Sequence, residues 1–380
     1  MKNIFDFLAY FVVVSFPFSV SLSSVIFVIF IIIPLLKPRE FFLYAKKLKR
    51  IYIILFLFYI SYLISSFFSP ETLKSIKRGK EFLFYLSIPA VSFIFKDFKK
   101  KEILFKVFSF ATIISVFYSI FKILKGTALE GRAHGFFLHP LTYAGFLIIP
   151  IIFSLGFFIV GGKKEKFLYL TLLLILLIGL ILTDSRGVFI SLFISSFYIL
   201  FKINKKILIP YLLTGVLALI FIMFKNPMGI RSKGAREKST HNRIELIKHF
   251  PYFFLKRPLF GYGRITLGEL VKGKKKEEQK RENIEFISKM VHFHVSYLQI
   301  LFFTGIFGFI LLYLFYGNLL FMLYKNSKKS FLSILTFTSL FAFLIHGFFE
   351  INIFADEILL PLFFFTGLCL EDENNSFLRL

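Results

Sequence analysis

Residues 290–308 read Met290-Val-His292-Phe-His294-Val-Ser-Tyr297-Leu-Gln299-Ile-Leu-Phe-Phe-Thr304-Gly305-Ile-Phe-Gly308. They close a long basic stretch, Lys225 to Met290, that interrupts a chain otherwise made of one apolar run after another. A polar stretch of that length does not lie in hydrocarbon, so it is expected to stand as a lobe on one face of a membrane bundle. The two histidines fall where the lobe re-enters the bilayer. Titratable side chains at such a boundary point to chemistry at the membrane surface on a lipid-borne substrate.

Composition fixes the class of the rest. Apolar residues make up 57% of the chain, Phe alone contributes 59 residues, and mean hydropathy is +0.76; no soluble core hides that much hydrophobic surface. Runs suited to crossing about 30 Å of hydrocarbon fall near residues 5–20, 22–36, 51–69, 81–95, 103–122, 139–160, 167–183, 187–201, 207–224, 291–316, 331–350 and 357–370. The expected fold is an all-α polytopic membrane protein with about twelve transmembrane helices and one large external loop containing amphipathic helices. It divides into a transmembrane bundle of about nine spans over 1–224, the polar lobe over 225–290, three last spans over 291–370 and a tail over 371–380. The single cysteine, Cys369, excludes an internal disulfide framework and reads as an inert membrane residue. The first apolar run lacks a small-residue cleavage site, so no cleavable signal is expected.

The net charge of +25 invites a nucleic-acid reading, but most of it lies in short clusters between apolar runs, where it sets topology. No nucleic-acid partner is expected. Twelve spans place both termini on one side. Loops on that side carry Lys37, Arg39, Lys46, Lys47, Lys49 and Arg50, then Lys96 and Lys99 to Lys101, then Lys163, Lys164 and Lys166, then Lys202, Lys205 and Lys206, then Lys325, Lys328 and Lys329. The positive-inside rule puts the termini in the cytoplasm and the lobe outside, and the lobe's own basic character weighs little because long loops translocate largely regardless of charge.

Three outer arginines oppose that bias: Arg78, Arg132 and Arg186. Each is either an interfacial side chain reaching for water or a bidentate ligand for phosphate. Arg186 has the stronger claim because its hairpin is only a few residues long, although Asp184 stands beside it as a simple counter-ion. In the lobe, Arg231–Lys238 reads as loosely held, and Thr240 as the N-cap of an amphipathic helix. Its apolar stripe is Ile244, Ile247 and Phe250, widened by Leu246 and Phe253, with His241, Arg243 and Lys248 on the polar side. Arg257-Pro258-Leu-Phe-Gly261-Tyr-Gly263-Arg264 ends the helix in a turn whose N–H groups are candidates for phosphate binding, a weak signal on its own. Lys272–Arg281 is a mixed charge run, read as a solvated loop or helix face. Asn283–Tyr316 reads as one long helix, on which His292 and His294 sit on different faces and make a poor metal pair. His346 and Glu350, at i and i+4 near the outer end of a span, share a face and form either a functional pair or a structural one with an outer arginine.

These residues carry a resemblance. Arg132-x-x-Gly135 with His139-Pro140, Leu182-Thr-Asp-Ser-Arg186-Gly187, Asn242-Arg243 with Arg257-Pro-Leu-Phe-Gly-Tyr-Gly263, and His294 followed by Gly305-x-x-Gly308 occur in that order. Together they resemble the O-antigen ligase and polymerase superfamily of bacterial inner-membrane proteins. Two positions depart from its pattern: Val295, where Asn, Ser or Gln is usual, and Phe309, where ligases often have Thr. The resemblance implies transfer of a glycan from undecaprenyl diphosphate to an acceptor hydroxyl at the periplasmic face, the acceptor for a ligase being lipid A–core. The implied partners are that lipid-linked donor, that acceptor and membrane lipids. No cofactor is expected.

The chemistry needs stabilisation of the charge growing on the diphosphate. No carboxylate cluster of metal-binding character is apparent, so no metal is expected, and Arg132, Arg186, Arg243 and Arg264 are the candidate diphosphate ligands. His294 is the candidate general base, with His346 and Glu350 in support. Attack in one displacement inverts the anomeric centre. A polymerase would use a second lipid-linked glycan as acceptor, and a protein O-oligosaccharyltransferase a Ser or Thr. A secondary transporter would place its polar groups at mid-bilayer, whereas here they gather at the outer ends. The topology is testable: reporter fusions after Lys49, Lys100, Lys164, Lys205 and Lys328 are expected to read cytoplasmic, and fusions within residues 231–280 external. A cytoplasmic readout for the lobe would remove the enzymatic reading, because the lipid-linked glycan would lie on the wrong side.

Overall fold

The computed structural model describes residues 2–95, 100–224, 233–272, 287 and 290–370. Among the described residues all regular structure is helical. The helices are α1 (Lys2–Ser15), α2 (Val20–Ile32), α3 (Pro38–Lys47), α4 (Lys49–Phe67), α5 (Thr72–Arg78), α6 (Ser87–Ile94), α7 (Lys101–Leu124), α8 (Pro140–Val160), α9 (Lys163–Ile181), α10 (Arg186–Ile203), α11 (Leu208–Phe224), α12 (Lys233–Lys256), α13 (Leu267–Lys272), α14 (Ser296–Asn326), α15 (Phe331–His346) and α16 (Asp356–Cys369). Five of them, α4, α7, α8, α10 and α14, are long and apolar enough to cross a membrane. A sixth span arises if α2 and α3, bent by 103° at the Lys37-Pro38 break, count as one. The chain is a multi-pass helical membrane protein.

Several expected spans are shorter or broken, for visible reasons. The 22–36 run gives α2 and then a 3-10 turn started by Pro34, after which Pro38 opens α3 in a new direction. The 81–95 run is a 3-10 stretch, Gly79–Leu86, followed by the short α6. The bundle centre is α8, with most of its residues buried, packed on α7, α9, α10 and α15. One continuous apolar core runs from α1 to α16. Much of it is ring on ring: Phe105, Phe153 and Phe365 meet with centroids 4.4 to 4.8 Å apart. Phe side chains supply dense packing in a solvent where apolar contact alone drives little association.

The lobe is tied to this bundle in two ways. Its own apolar cluster joins Leu246, Phe250 and Phe253 of α12 to Phe293 and to Phe302 and Phe303 of α14. The buried stripe of α12 is therefore Leu246, Phe250 and Phe253, while Ile244 and Ile247, read from the sequence as core positions, are exposed. The helix also starts earlier than Thr240, since Lys233–Lys238, read as loosely held, is already helical; residues 231 and 232 lie outside the described residues. So does the Lys272–Arg281 run from residue 273 onward.

The second tie is backbone to backbone. α14 is interrupted at Gly305 (φ 61°, ψ −166°), a conformation open essentially only to glycine. Into the break fits the Pro258–Gly263 turn. The N–H groups of Tyr262 and Gly263 donate to Phe302 and Phe303 carbonyls, each at 2.9 Å, and the Ile306 N–H donates to the Pro258 carbonyl at 2.9 Å. The turn's N–H groups, candidates for phosphate from sequence, are thus spent inside the fold. A Cβ at Gly305 would stand 2.3 Å from the Leu259 carbonyl, and one at Gly261 2.5 Å from the Phe302 oxygen.

Gly305→Ala is therefore expected to lower the thermal midpoint of the detergent-solubilised protein, with backbone strain alone costing about 1–3 kcal/mol. Gly317→Ala, on the same helix with nothing within 4 Å of the added Cβ, is expected to be neutral or to gain up to about 1 kcal/mol. Equal midpoints for the two variants would sink this account of the break.

Candidate functional site

The expectation of one helix over Asn283–Tyr316 is overturned in its described part: residues 291–295 are irregular and α14 begins at Ser296. Phe293 is fully buried in the lobe cluster, and its N–H donates to the Gln299 side chain at 2.9 Å. On the other side of His294, the Ser296 N–H donates to the Gly347 carbonyl at 2.8 Å. Pinned at both ends, the chain passes through His294 in the left-handed region, φ 57°. That turn brings the two histidines together instead of setting them on different faces. Their ring centroids are 4.2 Å apart at 69°.

His294 Nδ1 lies 3.1 Å from Glu350 Oε1. The other carboxylate oxygen accepts from Arg243 Nη2 at 2.7 Å, and Arg243 Nη1 donates to the Phe349 carbonyl at 2.8 Å. Glu350 is not on a helical face shared with His346, as the i, i+4 spacing had suggested. α15 stops at His346, and Glu350 sits in the following turn with its N–H on the His346 carbonyl. Burial pushes the Glu350 carboxyl up, but the His294 hydrogen bond and the Arg243 charge outweigh it and hold the group down to about 2. An ionised Glu350 fixes the neutral His294 ring as the tautomer with Nδ1–H, leaving Nε2 as the basic nitrogen. The His346 ring packs closely against α8: a Cβ at Gly145 would stand 3.1 Å from its Cε1.

A cavity of about 330 Å³ is lined by Arg132, Arg186, Arg243, His294, His346 and Glu350, together with Asp184 and Glu130. Two short sequence elements meet to form its far wall. The Ala133 N–H donates to the Leu182 carbonyl at 2.9 Å, and Arg132 Nε to the Thr183 carbonyl at 2.8 Å. Arg132 is buried, with Nη1 3.2 Å from Glu130. Arg186 opens α10 half-buried, and no ion pair engages it among the described residues. Gly187 lets α10 start directly against the Glu350 turn, since a Cβ there would stand 2.4 Å from Phe349 Cβ.

Arg264 is absent from the cavity lining. It pairs with Glu81, donates to the Arg78 carbonyl and covers the Phe354 ring at 4.4 Å. Arg78 in turn binds Glu269 at 2.9 Å, on α13. These two arginines staple the lobe to the Thr72–Leu86 region. Nothing in the local sequence separates a stapling arginine from a ligand-binding one; the separating fact is a carboxylate nearly two hundred residues away.

His292, His294 and Glu350 offer ligand atoms all within 4.8 Å of one another, a grouping missed in the sequence. Geometry alone would admit a divalent cation, but the Arg243 guanidinium already sits on the carboxylate and opposes a second positive charge there.

Residues 171–313 match a family model described as O-antigen ligase. No curated protein matches the chain. The O-antigen ligase match spans Arg186, Arg243, the Pro258–Gly263 turn, His294 and the Gly305 break; Arg132, His346 and Glu350 lie outside it. The cavity is thus built from the matched stretch and from the segments on either side.

Burial, then the neighbouring His294, lower the His292 ring to about 4. An unfolded chain takes up that proton near pH 6.5 whereas the folded one does so only near 4, so stability falls as pH drops through that window. The Glu350 contribution is lost lower, as pH falls from about 4.5 to about 2. Wild-type thermal midpoint is therefore expected to decline from pH 6.5 to pH 4. His292→Phe, which keeps a ring against His294 and removes the titration, is expected to flatten that decline. An unchanged slope would show that His292 is not buried neutral.

Proposed function

We propose that the cavity transfers a glycan from undecaprenyl diphosphate to an acceptor hydroxyl, and that the protein is an O-antigen ligase acting on lipid A–core at the periplasmic face of the inner membrane. The observation that carries the reading is the Arg243–Glu350–His294 chain facing Arg186 and Arg132 across one hollow. His294 Nε2 accepts the acceptor's hydroxyl proton as its oxygen attacks the anomeric carbon. The bond from that carbon to the diphosphate oxygen breaks, and its electron pair leaves with the diphosphate. Attack opposite the leaving group inverts the anomeric centre. The charge gathering on the diphosphate falls to Arg186, the cation that no carboxylate engages among the described residues, with Arg132 behind it. Glu350 orients His294 and favours its protonated form once the proton has moved. Arg243 is a positioning residue that holds Glu350 ionised. Energy comes from the donor, so the reading calls for no cofactor. A polymerase acting on a second lipid-linked glycan would use the same residues, and the acceptor supplied in the assay distinguishes the two.

The test is transfer by the purified protein with an undecaprenyl-diphosphate-linked glycan and lipid A–core. His294→Ala is expected to cut turnover by about 10²–10⁴-fold while donor binding persists. Arg186→Ala is expected to remove roughly 2–4 kcal/mol of transition-state stabilisation, with lysine restoring only part of it. Glu350→Gln should lower turnover and leave donor binding intact. Near-normal turnover by well-folded His294→Ala removes the base from the mechanism. Activity lost to a chelator and restored by a divalent cation would reassign the His292, His294 and Glu350 group to a metal.

A further inference from the structure

His346 lines the cavity together with His294 and Glu350, yet no step of the transfer uses it. It closes α15 and is 1% exposed. The chain beyond it is held in place: the Phe349 and Glu350 N–H groups donate to the His346 carbonyl at 2.9 and 3.1 Å.

The surroundings of the ring decide where its proton sits. Asn352 Nδ2 donates to the Phe343 carbonyl at 2.6 Å, and Asn352 Oδ1 accepts from the Ser296 hydroxyl at 2.8 Å, so the amide has one orientation. The same Nδ2 lies 3.5 Å from His346 Nδ1. An amide nitrogen donates and does not accept, so Nδ1 meets it with its lone pair and the proton belongs on Nε2. His294 is the reverse case, with Glu350 drawing the proton to Nδ1. One cavity therefore carries an imidazole that accepts at Nε2 and another that donates from it.

His346 Nε2 is buried and has no hydrogen-bond partner among the described residues. A buried donor without an acceptor is costly. The carboxylate four residues on is already spent, since Glu350 gives one oxygen to His294 and the other to Arg243. Nδ1 and Cε1 pack against α8, so Nε2 is the ring nitrogen that no protein group engages. A diphosphate drawn in by the cavity's arginines offers only acceptor oxygens along its charged flank. We propose that His346 Nε2–H donates to an oxygen of the donor's diphosphate. Away from water, such a bond counts for more than at a surface. The inference rests on the reading of this cavity as the diphosphate site.

The full chain in detergent would be titrated with undecaprenyl diphosphate and with undecaprenol as the uncharged control. His346→Leu is expected to weaken undecaprenyl diphosphate binding by about tenfold to a hundredfold and to leave undecaprenol binding as in wild type. His346→Gln, whose amide nitrogen takes the place of Nε2, should recover most of the loss. A second measurement is made on the wild-type protein labelled with 15N-histidine. The imidazole signals that His346→Gln removes should show the proton on Nε2 and should move with undecaprenyl diphosphate but not with undecaprenol. Equal diphosphate affinity for wild type and His346→Leu overturns the proposal and leaves the function of the cavity standing. A proton found on Nδ1 does the same, as does an Nε2 signal that undecaprenyl diphosphate leaves unmoved. Wild type that holds undecaprenyl diphosphate no better than undecaprenol overturns the proposal together with the function it rests on.

Discussion

Everything on the lobe side hangs on a helix that is broken on purpose. At Gly305 the α14 ladder opens, and the carbonyls and N–H groups it releases are taken up by the Pro258–Gly263 turn. In a membrane, a break left unsatisfied would cost several kcal/mol per polar group. Satisfied in this way, it becomes a joint. The joint fixes the height of the lobe relative to the bundle and fixes the direction in which Ser296–Thr304 emerges. The left-handed turn at His294 follows from that direction, because Phe293 must reach the lobe cluster while Ser296 is already bound to Gly347.

Glu350 is the electrostatic counterpart of that joint. A nearly buried carboxylate is tolerated because Arg243 and His294 occupy its two oxygens, and removing one partner of such a pair typically costs about 3–5 kcal/mol. The arrangement does more than stabilise. It gives the imidazole one tautomer and engages Arg243, so the only arginine lining the cavity without a carboxylate partner among the described residues is Arg186. The other outer arginines are engaged: Arg132 by Glu130 and the Thr183 carbonyl, Arg78 by Glu269, Arg264 by Glu81.

The class of the fold was legible in the sequence because burial in hydrocarbon leaves a compositional mark on every span. The convergence of Arg132, Arg186, Arg243 and His294 on one cavity was also legible, through short elements that occur in a fixed order. What periodicity could not supply were facts held by distant pairs. The spacing of His292 and His294 suggested different faces of a helix, yet the segment is not helical, and the cause lies in Phe293 and Gly347. Arg264 looked like a ligand for phosphate until Glu81 claimed it. Ile244 and Ile247 fit a stripe with a three-residue step, but the lobe buries the neighbouring stripe through Leu246. The glycine turn resembled an anion cradle, and only the carbonyls of Phe302 and Phe303 reveal what its N–H groups are for.

The Arg243–Glu350 contact spans 107 positions of chain, with α14 and α15 both made in between. During synthesis the arginine and then the histidine leave the ribosome well before the carboxylate that will organise them. A nascent chain stopped after α14 therefore holds a lobe with a loosely held imidazole and an unanchored guanidinium. The pairing is completed only with the turn that follows α15. An immature protein thus lacks the fixed pairing of imidazole and carboxylate while its bundle is still being threaded into the membrane.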